Sequence, residues 1–270
     1  MSRQIDKNTK ILICYDPVTD FTFAEVDKIS DYLSERNSFI TFVDSATPAL
    51  NNLQAFLRDN WGLDYKAGNR IIDNTHSING HSYNALAKVP AAVEENKDGS
   101  AAYQIRKTVV DFEGAINTVF PESTEIVAAK ANNQSYILET VLTTYPTAVT
   151  EINGISGEAG EKTLMAVSTK SGYGENNVSE YAHVMLVGST EFANGNNLSH
   201  SYGNRRVLLS AARIFGAENV APNITAKQFG STALDIETGT ATTLTWVICT
   251  VLPGIIMIMG IVVYFRRRHL

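Results

Sequence analysis

The densest run of chemistry-capable side chains in this chain is His183-Val-Met-Leu-Val-Gly188-Ser189-Thr190-Glu191-Phe192. An apolar strand there delivers a glycine, two hydroxyls and a carboxylate to the turn that follows it. In α/β folds, ligands settle in the crevice beyond the carboxyl ends of strands. Asp16 and Asp44 stand at the ends of two other apolar runs, so the pattern predicts a ligand or partner crevice lined by Asp16, Asp44, Ser189 and Glu191. The same groups serve equally as loop residues, with Ser189 or Thr190 capping a helix.

Hydrolytic chemistry needs a nucleophile, a base within hydrogen-bond reach and a group that orients the base. Ser189 with His183 or His200 is a formal candidate, but His183 opens its strand and lies several residues from the turn. Cys14 falls inside a strand, and no Gly-x-Ser-x-Gly elbow occurs. Asp73, His76 and His81 cluster in sequence, yet their surroundings read as a solvated loop and no metal is expected. Neither a P-loop nor a Gly-x-Gly-x-x-Gly turn is present, which excludes P-loop ATP hydrolysis. Asn204-Arg205-Arg206 opens a helix, where two arginines read as surface groups. No catalytic residue and no cofactor are expected.

The elements that position these groups alternate in the α/β manner at the start of the chain. Strands are expected at 11–15, 38–43 and 69–73. Between them lie a helix from Thr22, with Glu25 at capping-box spacing, and a helix from Asn51 or Asn52 to Gly62. Its inner face is Leu53, Phe56, Leu57 and Trp61. Residues 74–102 dissolve into Asn, His, Gly and charge and read as an irregular exposed insertion. Further strands are expected at 124–129, 136–144, 163–169 and 183–187, with a polar connection at 171–180. A last helix, Asn204–Phe215, turns Val207, Leu208 and Ala211 inward and ends at Gly216. The expected core contains Ile11, Ile13, Phe42, Val43, Ile71, Leu164, Val167, Met185, Leu186 and Val187. Consecutive apolar residues in these runs point to a mostly parallel sheet covered on both faces.

Residues 243–265 carry no charge, and Arg266, Arg267, Arg268 and His269 follow. As a helix that run is about 34 Å long, enough for a hydrocarbon core of about 30 Å. A transmembrane helix is therefore expected over 241–265, with Trp246 and Tyr264 at the headgroup zones and Pro253 kinking the middle. Three arginines follow the span, whereas 228–242 holds no Lys or Arg. The basic tail, 266–270, is thus expected in the cytoplasm and residues 1–240 outside. The N-terminus has no apolar signal-peptide core, which leaves two alternatives: a missing upstream segment, or a tail-anchored cytosolic domain.

The chain carries 22 basic and 28 acidic residues. Without the terminal arginines, residues 1–240 hold 19 against 28, a formal charge of −9. So acidic a domain lacks the basic stripe that nucleic-acid binding requires. Cys14 is the only cysteine outside the span, so no internal disulfide staples the domain.

Three stretches and the tail resemble the auxiliary subunits of ABC transporters typified by the gliding-motility GldG proteins. They are Asp16-Pro17-Val18-Thr19-Asp20-Phe21-Thr22-Phe23-Ala24-Glu25 with its following helix, the helix Leu53 to Trp61 with Gly62-Leu63, and Val184 to Phe192 continuing through Tyr202-Gly-Asn204-Arg205. Leu252-Pro253-Gly254 and the closing arginines resemble the family's last span. The resemblance implies a flavodoxin-like or glutamine-amidotransferase-like domain without a nucleophile, held beside a permease and its ATPase. It also implies that this chain is shortened at its N-terminus, because family members carry a span and a further domain before the equivalent of Ile11. The expected function is a non-catalytic, membrane-anchored accessory subunit of an ABC-type export system. The alternatives are a membrane-tethered hydrolase or amidotransferase-like enzyme using Ser189, and a tail-anchored cytosolic interaction module.

Overall fold

In the computed structural model the described residues are 5–6, 8–90, 100–110, 117–129, 136–173, 179–199, 201–216, 249–250, 253–254, 257–261 and 263. The chain divides into two units, Met1–Val220 and Ala221–Leu270.

The first unit is built on a seven-stranded sheet. Its strands, in spatial order, are β1 (Ile11–Tyr15), β2 (Ser38–Phe42), β12 (Ser179–Val187), β11 (Thr163–Tyr173), β8 (Ile137–Thr144), β5 (Asn84–Lys88) and β6 (Thr118–Pro121). Only β1–β2 and β2–β12 pair in parallel; the other four neighbour pairs are antiparallel. The sheet is mixed and mostly antiparallel, which corrects the mostly parallel expectation. Helices α1 (Phe23–Ser34) and α2 (Asn51–Trp61) follow β1 and β2. From β8 to β12 no helix intervenes among the described residues, and strands joined without a crossover pair antiparallel. Consecutive apolar residues signalled burial on both faces, not strand direction.

Each face carries its own core. Ile29, Leu33, Leu53, Phe56, Leu57 and Trp61 of α1 and α2 pack with Phe39, Val43, Val184 and Leu186 on one side. On the other, α3 (Ala101–Val110) and α4 (Asn204–Phe215) bring Ile105, Val207, Ala211 and Phe215 against Ile40, Phe42, Met185 and Val187. Each such large side chain contributes roughly 1.5–3 kcal/mol on burial. The sheet curls around this second core, so that Phe120 of β6 meets Phe192, beyond β12, at 4.6 Å between ring centroids.

Local chemistry explains the element ends. Thr22 donates its backbone N–H and its hydroxyl to the Glu25 carboxylate, both at 3.0 Å, as the capping-box spacing predicted. The neighbouring Asp20 has a longer reach. Its carboxylate accepts the Asn52 and Leu53 N–H groups at 2.9 and 3.3 Å, capping α2 from the turn before α1. Gly62 stops α2 at a left-handed φ of 69°.

Several expectations shift. Ile13, expected in the core, is 59% exposed because β1 is an edge strand. The strand expected over 69–73 forms as β4 (Arg70–Ile72), but in a separate three-stranded sheet with β9 (Val149–Ile152) and β10 (Ile155–Ser156). β3 (Leu63–Tyr65) and β7 (Ile126–Ala128) make a third, two-stranded sheet. Residues 74–102 are not wholly irregular: they supply β5, and α3 starts at Ala101. Small alternating residues, such as Ala85 and Ala87, gave that strand little hydropathic contrast. Within the expected connection at 171–180, residues 171–173 end β11 and 179–180 begin β12, while 174–178 lie outside the described residues.

In the second unit, residues 253–254, 257–261 and 263 are helical, and Met257, Ile258, Met259, Ile261 and Val263 are all about half exposed or more. Among the described residues no helix is long and apolar enough to cross a membrane. The span expected over 241–265 falls largely outside them, as do Trp246, Tyr264, Arg266, Arg267 and Arg268; Pro253 is described and helical.

Candidate functional site

β1, β2 and β12 run in one direction, so their carboxyl ends open on one edge of the sheet. The four residues expected there do converge. Tyr15 and Asp16 end β1, Asp44 follows β2, and Gly188 to Glu191 follow β12. Tyr15 links the three ends. Its ring lies against Phe42 and its hydroxyl donates to the Thr190 carbonyl at 3.1 Å. Partial burial holds the Tyr15 phenol above its usual range, aided by the negative charge of Glu191, Asp16 and Asp44. This end of the sheet is therefore acidic, with three carboxylates around one phenol. An arginine borders it: Arg70 pairs with Glu122 at 3.1 Å, reaches the Ser45 hydroxyl at 3.4 Å and covers the Tyr83 ring.

Most polar groups at these strand ends already have internal partners. Asp44 accepts the Ala46 and Thr47 N–H groups at 2.8 and 3.0 Å and the Thr190 hydroxyl at 2.5 Å. Glu191 accepts the Asn194 side-chain amide at 2.7 Å. Ser189 is fully buried and donates to the Pro121 carbonyl at 2.5 Å. A carbonyl oxygen cannot take up that proton as a base. Asp16 is exposed, in a left-handed conformation at φ 49°.

The pairing of Ser189 with His183 does not form. Six residues of extended chain separate them, about 20 Å along the strand. His183 instead meets the Thr169 hydroxyl at 3.0 Å and stacks on Phe215, 4.8 Å between ring centroids. His200 lies outside the described residues. Cys14 is half-buried, and burial pushes its thiol up to about 11, far from a reactive thiolate. Asp73 is a buried loop clamp. It accepts the Thr75 and His76 N–H groups and the Thr147 hydroxyl, while His76 stacks flat on Tyr145. Among the described residues no group of three His, Cys, Asp or Glu could hold a metal ion.

Burial lowers the His183 imidazole from 6.5 to about 4. The unfolded chain therefore binds the proton more readily. This histidine's neutral form supports the fold fully above pH 6.5, and that support fades as pH falls towards 4. The gap is worth about 3 kcal/mol. Replacing His183 with Phe, which keeps the stack on Phe215, is expected to flatten the urea-unfolding pH profile between these values; an unaltered profile contradicts the assignment.

Two residues central to this region gave little signal in sequence. Tyr15 reads simply as the last residue of a strand, although an aromatic hydroxyl one position before Asp16 sits where a strand-end link is made. Asp20 reads as a turn residue, and the α2 N–H groups that it caps lie more than thirty positions away.

No protein-family model matches the sequence, and no curated protein matches it either. Solved structures of similar shape include the following two. The mmIFT52 N-terminal domain superposes with a TM-score of 0.52 at 15% identity, over 78% of this chain and 79% of that one. The cytoplasmic protein STM3548 from Salmonella typhimurium gives 0.40 at 12% identity, over 76% and 71%. The first likeness establishes a shared fold.

Proposed function

We infer that this chain is a non-catalytic accessory subunit of an ABC-type membrane transport system, working beside a permease and its ATPase. Its α/β domain binds exported cargo or an envelope partner. Residues 241–265 anchor it in the bilayer through Trp246, Pro253 and Tyr264, with Arg266, Arg267 and Arg268 in the cytoplasm and the domain outside. The observation that carries the non-catalytic part is the state of the hydroxyls at the strand ends. Ser189 gives its proton to the Pro121 carbonyl, and Thr190 gives its own to Asp44. Where an enzyme of this architecture would keep a nucleophile free, this chain uses its hydroxyls to knit β6, β2 and β12 together. The parallel trio β1, β2 and β12 supports a flavodoxin-like or glutamine-amidotransferase-like kinship. The motifs around Asp20 and Gly188 support the transporter-associated resemblance, and the uncharged run with its arginine stop supports the anchor.

Co-purification tests this reading. Full-length chain extracted from native membranes in mild detergent is expected to carry a multi-span permease and an ABC-type ATPase in comparable amounts, identified by mass spectrometry. Extraction free of both would overturn it.

A further inference from the structure

The large sheet has two edges, and they are treated differently. On the outer edge of β6, the buried Asn204 side chain accepts the Val119 N–H at 2.9 Å and donates to the Val119 carbonyl at 2.8 Å. That edge is closed. The outer edge of β1 is open. The Ser38 N–H bonds the Lys10 carbonyl and the Asp16 N–H bonds the Phe42 carbonyl, so Lys10, Leu12, Cys14 and Asp16 turn their backbone groups towards β2. Ile11, Ile13 and Tyr15 turn theirs outward, and among the described residues nothing pairs with them. Folded proteins guard such edges with charge, proline or a bulge. Ile11-Leu-Ile-Cys-Tyr15 has none of these, and Ile13 and Tyr15 are 59% and 51% exposed.

We propose that the outer edge of β1 pairs antiparallel with the same edge of a second copy of this chain, in the register that sets Ile13 opposite Ile13. The strand is self-complementary about that residue. A two-fold axis there places Ile11 opposite Tyr15, Leu12 opposite Cys14, and Lys10 opposite Asp16. Each outward-facing residue meets another, so the Ile11–Tyr15 and Ile13–Ile13 pairs are of the hydrogen-bonded type, and the Leu12–Cys14 and Lys10–Asp16 pairs alternate with them as the non-hydrogen-bonded type. Opposed side chains share a face, which joins Ile11, Ile13 and Tyr15 of both copies into one apolar patch. The charges choose the occupant. Lys10 and Asp16 are both exposed, have no ion-pair partner among the described residues, and lie three positions either side of Ile13. Antiparallel pairing brings each onto its opposite in the other copy, twice over. The contact is isologous and closes at two copies, which removes the open edge rather than propagating it.

The mass of full-length protein in mild detergent, by light scattering corrected for detergent, is expected to be that of two chains at tens of micromolar. Ile13→Lys sets like charges face to face on the axis and is expected to raise the dissociation constant about tenfold or more. Disulfide trapping reads the register independently of that variant's folding. In a background with Cys14 and Cys249 replaced by Ala, Ile13→Cys is expected to cross-link to itself under mild oxidation. Ile11→Cys alone should not, whereas a mixture of Ile11→Cys and Tyr15→Cys proteins should. A single-chain mass for the unmodified protein, or Ile11→Cys self-linking as readily as Ile13→Cys, would overturn the proposal.

Discussion

Replacing Asn204 with Leu is expected to cost about 3 kcal/mol of unfolding free energy or more, although the substitution is apolar and similar in size. The side chain is fully buried at the start of α4 and satisfies three backbone groups at once. It accepts from the Val119 N–H and donates to the Val119 and Phe192 carbonyls. Leucine leaves all three unpaired where water does not reach, and each such group costs roughly 1–3 kcal/mol. Asn204→Asp sharpens the test. It keeps an acceptor for the Val119 N–H but turns a second oxygen towards two carbonyl oxygens, so it too is expected to destabilise strongly. Urea unfolding followed by near-ultraviolet circular dichroism reads both. An Asn204→Leu protein within about 0.5 kcal/mol of the parent would show that the amide does not close the β6 edge.

The second large effect is expected at Gly188. A methyl group there would lie 2.4 Å from the Thr124 carbonyl oxygen, 3.1 Å from that of Leu164 and 3.3 Å from the Ile126 side chain. Two of these are backbone atoms, and hydrogen bonds tie both residues to Gly188: the Gly188 N–H bonds the Leu164 carbonyl and the Thr124 N–H bonds the Gly188 carbonyl, both at 2.8 Å. Neither can yield without breaking the crossing of residues 121–125 over the sheet's end. Gly188→Ala is therefore expected to destabilise by about 2–4 kcal/mol through overpacking. Gly195 provides the control, because a methyl group there meets nothing within 4 Å and alanine should be close to neutral. Equal behaviour of the two variants would contradict the packing described for Gly188.

These two residues also show what could be read from the chain beforehand. Gly188 and Asn204 both stood in motifs that the sequence singled out, yet both turn out to hold the scaffold together. Glycine in a strand-end turn looks the same whether a ligand or a carbonyl approaches it. Asp20 is similar: the turn was legible, its capping of α2 was not. The faces of α1, α2 and α4 were readable, because a spacing such as that of Leu53, Phe56, Leu57 and Trp61 depends only on the local period, whereas α3 was missed. Strand direction was not readable, since antiparallel β11 and parallel β2 are both buried on both faces. Nor was strand position in the sheet, so Ile13 and Met185 looked alike although one lies on an edge and the other in the middle. The convergence of Asp16, Asp44, Ser189 and Glu191 followed from strand ends alone. The inward use of Ser189 depended on Pro121, which is sixty-eight residues away.

The reading of this chain as a binding module carried on a membrane stands or falls on where the whole polypeptide resides. After native-level expression, lysis and ultracentrifugation at alkaline pH, which strips peripheral proteins, the full-length chain is expected to remain in the membrane pellet and to leave it only when detergent is added. Recovery of the chain in the detergent-free supernatant would contradict that account.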